Sequence, residues 1–218
     1  MDLFRVFFLA DFAVAKSYVE DLHASLPHTR ERAYAALKSQ AEAEGWDYAD
    51  FSAEVADLEA QFDFNVPRIL RFSFLIYLHS IVEHGLSELA RDVRKRRVLA
   101  LKHNEVTGSA IERTQTYLTK VAGFDLSSLT RWDVLRDLAK VRDVLVHRGG
   151  RLGSDPRERE QLRQLATRRQ GLLKASRGWD REDSELQISQ PLCELFAAEA
   201  HTFFQELLEI VRPETHPK

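Results

Sequence analysis

Apolar side chains recur along most of this chain at three- and four-residue intervals, the pattern of helices that each bury one face. The sharpest case lies within residues 130–148. Wound at about 100° per residue, Val134, Leu135, Leu138, Val141, Leu145 and Val146 fall on one arc of roughly 140°. Arg142 falls inside that arc, with Leu138 and Leu145 one turn away and Val146 beside it. A permanently charged guanidinium among leucines requires an anionic partner. Arg136, Lys140, Asp143 and His147 form a polar stripe on the other side, where Asp143 stands one turn before His147 and within reach of it. Gly149-Gly150 stops the helix.

The same pattern predicts a helix over residues 2–26 that ends at Pro27, and a second over 29–44 that ends at Gly45. Phe4, Phe7, Phe8 and Phe12 cover too much of the first helix's circumference for a solvated one, so another surface must bury them. On a third helix Phe51, Val55, Leu58 and Phe62 make a narrow seam for a neighbour. Asn65-Val66-Pro67 then opens a helix that is apolar almost all round from residue 69 to 82 and therefore central. Glu83 is its anomaly. A buried carboxylate and a misplaced cation in one chain suggest each other, and Glu83 is expected to meet Arg142, directly or through a hydrogen-bonded group. Ser109-Ala110-Ile111-Glu112 is a capping box opening a helix that Gly123 ends, and Ser154-Asp155-Pro156 opens the next. Residues 186–188 read as a short extended piece, and a last helix runs from Pro191 to about Val211. The fold expected is an all-α helical bundle over residues 65–212, with an acidic helical extension over 1–64 packed on it.

Composition adds limits. With 218 residues, 44% of them hydrophobic, the chain can bury a sizeable core. The single cysteine, Cys193, excludes an internal disulfide, fits a reducing compartment and reads as a small buried apolar residue. Residues 1–15 are apolar, but Asp2, Arg5 and Asp11 interrupt them and no basic segment leads in, which points to a packed helix and away from a signal peptide. No apolar run approaches the ~18 residues that span a bilayer, so a cytoplasmic protein is expected.

Charge is unevenly spread. In residues 1–66 five Lys or Arg stand against thirteen Asp or Glu, a local −8; the formal −3 of the whole chain leaves +5 for the rest. The first part repels nucleic acid and the remainder attracts it. Arg91, Arg94, Lys95, Arg96 and Arg97 suit the end of their helix. From 157 to 177, Arg157, Arg159, Arg163, Arg168, Arg169, Lys174 and Arg177 face only Glu158 and Glu160, a surface fit to track a phosphate backbone. His79, Glu83 and His84 raise the question of a metal. Two ligands one turn apart lack the third and fourth donors that zinc needs, so neither metal nor other cofactor is expected.

The string Arg142-Asp143-x-x-x-His147 with its glycine stop resembles the Arg-x4–6-His signature of the HEPN superfamily (higher eukaryotes and prokaryotes nucleotide-binding domains). Residues 77–89, an apolar stretch with one Glu, look like that family's earlier helix. Residues 111–118 and the Trp132-x-x-Leu135 pattern look like its connecting elements, and the likeness extends over about 66–212. The resemblance implies a helical bundle, usually a dimer in which two motifs face each other across a cleft. Many such proteins are metal-independent endoribonucleases of toxin–antitoxin, phage-defence or RNA-processing systems. It makes RNA the expected substrate, His147 the acid/base and Arg142 the phosphate ligand, with Arg148, Arg157, Arg163, Arg168 and Arg169 along the RNA. A nucleotidyltransferase-like antitoxin is the partner that toxin biology would add.

Asp143 stands where the family commonly has Asn. An acid there is expected to orient His147, yet it sets negative charge near a phosphate. Residues five apart on a helix point about 140° from one another, so Arg142 and His147 of one chain do not converge on one atom. Either the helix unwinds at Gly149-Gly150, or the site is composite across the two-fold axis of an isologous homodimer. The competing reading is a non-catalytic HEPN-like module for nucleic-acid binding or assembly. A nucleotide-binding role lacks any glycine-rich phosphate loop.

Overall fold

The computed structural model describes residues 3–211, with side chains from Leu9 onward, so Phe4, Phe7 and Phe8 lie outside the side chains described. The chain is mostly helical: α1 (Leu3–Glu44), α2 (Tyr48–Ala60), α3 (Val66–Arg97), α4 (Ala110–Thr116), α5 (Trp132–Arg148), α6 (Pro156–Arg168) and α7 (Gln190–Ile210), with strands β1 (Leu173–Ala175) and β2 (Leu186–Ile188). Among the described residues no helix is long and apolar enough to cross a membrane.

α3 is the central element. Leu75, Leu78, Val82, Leu86, Leu89 and Val93 are fully enclosed, and α1, α5 and α7 pack around them. Proline starts α3, as expected, and a five-residue π-helical turn, Gln61–Asn65, joins it to α2. α7 supplies Phe196, Phe203 and Phe204 to the same core, with Trp132 of α5 edge-on to Phe203 at 4.7 Å. The capping box forms as read: the Ser109 hydroxyl accepts from the Glu112 N–H, and the Glu112 carboxylate accepts from the Ser109 N–H.

One boundary differs. α1 does not end at Pro27 but runs through it to Glu44, 42 residues in all. Proline inside a helix deletes one backbone bond at a cost of about 3 kcal/mol. Flanking hydroxyls bond to carbonyls one turn back, Ser25 donating to Leu22 and Thr29 to Ser25. The two halves of this helix have different surroundings. Phe12, Ala15 and Val19 belong to the main core, where Phe12 stacks on Phe204. Beyond them α1 pairs with α2, none of whose residues is buried; Arg30 ties the two helices to each other and to the π turn through Glu59 and Asp63.

β1 and β2 form an antiparallel hairpin with Lys174 opposite Gln187. On its other side β2 bridges back to the residues that follow α5: Leu186 N–H donates to the Gly150 carbonyl at 2.8 Å, and Arg151 pairs with Glu185. The hairpin is thereby sewn to the end of the motif helix.

Candidate functional site

The buried face of α5 comprises Val134, Leu135, Asp137, Leu138, Val141, Val144 and Leu145. It is turned from the predicted arc: Val144 and Asp137 are inside, whereas Val146 is exposed. This rotation puts Arg142 at the rim of the face, its side chain 29% exposed, in place of the middle. The helix stays regular through Arg148 and ends on Gly149 in the left-handed region, so the unwinding that would turn His147 toward Arg142 does not occur. His147 is exposed on the last turn and Arg142 lies five residues earlier, about 140° round the same cylinder.

Gly149 and Gly150 both adopt positive φ, and the second has a further reason to lack a side chain. A Cβ on Gly150 would sit 2.6 Å from the Phe72 ring. The turn after the motif is therefore pressed against α3.

Glu83 and Arg142 form no direct ion pair. Arg142 donates to the neighbouring Asp143 carboxylate at 2.9 Å, and Glu83 lies 3.4 Å from Nδ1 of His79. Both pairs nevertheless act on one imidazole. His79 has a pKa below its usual value, first because burial removes it from water; Glu83 opposes that shift, Arg142 adds to it and Asp143 opposes it. Its side chain is 5% exposed, and Nδ1 has no partner in hydrogen-bond geometry. A neutral, enclosed imidazole thus stands beside Glu83 and the Arg142–Asp143 pair. His79 was visible in the sequence as Glu83's helical neighbour; its proximity to α5 was not. Asp143, expected to orient His147, is engaged with Arg142 instead.

The arginines expected along RNA divide into two groups. Arg168 and Arg169 converge on Asp137: Arg168 donates to one carboxylate oxygen at 2.6 Å, and Arg169 donates twice to the other, at 2.8 and 3.1 Å. Asp137 is 4% exposed, so these two guanidiniums close a buried charge and fasten α6 to α5. Arg148 donates to Glu158 at 2.5 Å, and its guanidinium lies over Gly153, where a Cβ would require it to shift. Arg163 reaches Asp180, while the exposed Arg157 side chain has no charged partner among the described residues.

Cys193 is enclosed, and burial pushes its thiol up to about 12, as befits a packed apolar residue. Among the described residues no three His, Cys, Asp or Glu side chains gather as a metal-binding group.

Comparison with known proteins finds no matching family model, no matching curated protein and no matching solved structure.

Proposed function

We propose that the chain is an endoribonuclease of the HEPN type, active as a homodimer, with Arg142 from one protomer and His147 from the other completing each site. The observation that carries this reading is the incomplete pairing of Arg142. Its only carboxylate partner among the described residues is an exposed neighbour, while a second buried polar group beside it, His79, has an unbonded ring nitrogen. Such a cation has donors left for a phosphate.

The chemistry follows from RNA itself. His147 takes the proton of a 2′-hydroxyl, whose oxygen attacks the adjacent phosphorus. Arg142 holds the non-bridging oxygens, on which negative charge accumulates in the transition state. The 5′-oxygen leaves and is protonated, giving a 2′,3′-cyclic phosphate and a 5′-hydroxyl, and no step requires a metal. The unbroken helix turns the two side chains apart, which is why the site is assigned to two chains. Val146 next to the motif and Tyr77 on α3 are exposed apolar residues of the kind such an isologous contact covers. Arg157 and Arg163 lead the RNA away along α6, and toxin or phage defence is the setting proposed for the activity.

The Arg142–Asp143 contact favours a second reading, a binding module without catalysis, because a carboxylate already occupies part of the guanidinium. Incubation of purified tRNA and total RNA in excess EDTA separates the two. Cutting by the wild type, and by neither Arg142→Ala nor His147→Ala, supports the nuclease; RNA binding without cutting by the wild type supports the module.

A further inference from the structure

A groove of about 820 Å³ lies between the π turn, the first turns of α3 and the β1–β2 hairpin. Its chemistry is specific. Five charged side chains line it: Asp63, Glu185, Arg68, Arg71 and Lys174. Both acids are already neutralised, Asp63 by Arg30 at 3.0 Å and Glu185 by Arg68 at 3.3 Å and Arg151 at 3.6 Å. The remaining cations are not. Arg71 donates one N–H to the Ile188 carbonyl, and its Nε is buried with no hydrogen-bond partner. Lys174 is exposed and has no ion-pair partner among the described residues.

Beside these cations stands an aromatic that the fold does not use: Phe64 is 70% exposed. Phe72 forms another part of the wall, with Arg68 over its ring at 5.6 Å. Asn65 and Gln187 contribute amides, and Gln187 is directly opposite Lys174 in the hairpin, so the two side chains share one face. Uncompensated cations, an open aromatic face and adjacent amides are the parts that bind an unpaired nucleotide: charge for the phosphate, stacking for the base, amides for its edge. A base locked in a duplex offers no face to Phe64.

The groove's wall is also tied to the end of the motif helix. Its β2 wall is bonded to Gly150 and Arg151, three and four residues after His147, and Phe72 packs on Gly150. We infer that this groove binds a single-stranded RNA segment, with Phe64 stacking on a base and Arg71 and Lys174 holding phosphate, and so receives the nucleotides that flank the bond at the motif. The choice of RNA rests on the nuclease reading above; the groove's own chemistry specifies a single-stranded nucleic acid.

The test is fluorescence anisotropy with a labelled ten-nucleotide single-stranded RNA of mixed sequence, using full-length protein carrying His147→Ala so that the probe survives. Phe64→Ala and Lys174→Glu alter exposed side chains and are expected to leave the fold intact, which circular dichroism checks; Arg71→Gln, which also touches Ile188, serves as a third variant. Each of the first two is expected to raise Kd about tenfold, the scale of one lost base stack or phosphate contact. The same RNA as a blunt duplex is expected to bind more weakly and to be insensitive to Phe64→Ala. Unchanged single-strand affinity in both Phe64→Ala and Lys174→Glu overturns the inference, and if His147-intact protein still cuts RNA the nuclease reading survives that loss. Weakened binding in both variants, with no cutting by any protein, keeps the groove and removes the nuclease.

Discussion

The motif helix carries two charged clusters on opposite flanks, and they are built to different standards. Around Asp137 a buried carboxylate receives three N–H donors from Arg168 and Arg169, and Arg169 itself is only 14% exposed. Around His79 the pairing is unfinished: Glu83 is at ion-pair distance, 3.4 Å, without a hydrogen bond, Arg142 leans on an exposed neighbour, and one imidazole nitrogen has no partner among the described residues. The first cluster closes an interface between helices. The second leaves one enclosed imidazole nitrogen unbonded among the described residues and gives Arg142 only an exposed carboxylate.

Breaking the closed cluster is expected to have the largest effect on stability. Asp137→Ala strands two guanidiniums, one of them deeply placed, and should lower the unfolding free energy by about 3 kcal/mol in urea denaturation. Next comes the turn that joins the clusters to the hairpin. Gly150→Ala forces a side chain onto a φ of +91° and into the Phe72 ring, with an expected loss of about 2 kcal/mol. Arg142→Ala should do the reverse of Asp137→Ala: a change under about 1 kcal/mol in stability, because its partner is exposed, with loss of RNA cleavage. A stability loss equal to that of Asp137→Ala would erase the distinction.

The smallest expected effect is on pH dependence. Burial lowers the pKa of His79 below its ordinary 6.5, so the folded state binds fewer protons there than the unfolded chain. That stability is present above about pH 6.5 and is lost as pH falls toward the folded pKa. His23 and His103 are shifted in the same direction by the same cause. Denaturation midpoints should therefore fall between pH 7.5 and 5.5, and His79→Gln should make that fall shallower; an unaltered slope would show that His79 is not held in its neutral form.

The sequence carried the elements better than their contacts. The central α3, the Ser109–Glu112 box, the Asp155-Pro156 start and the strand at 186–188 follow from local chemistry, and each forms. The break expected at Pro27 does not occur: α1 runs on beside α2, the neighbour that the seam of Phe51, Val55, Leu58 and Phe62 called for. Nothing local singles out Asp137 as buried, since its two arginines lie 31 and 32 positions away. With Asp137 inside and Val146 outside, the buried arc turns, and Arg142 moves to the rim. Glu83 was visible as an anomaly, but its partner proved to be His79, one turn back on its own helix.

The central claim is that one protomer's Arg142 works with its partner's His147, and mixing two inactive variants tests it most directly. Arg142→Ala and His147→Ala chains, each checked for folding, are unfolded together, refolded and assayed on tRNA in EDTA. A dimer with one chain of each kind holds one intact site and one doubly damaged site. Random reassociation should then restore about a quarter of wild-type cleavage, since half the dimers are mixed and each has one of its two sites whole. No recovery from the mixture, with the wild type refolded in parallel fully active, would contradict the composite site.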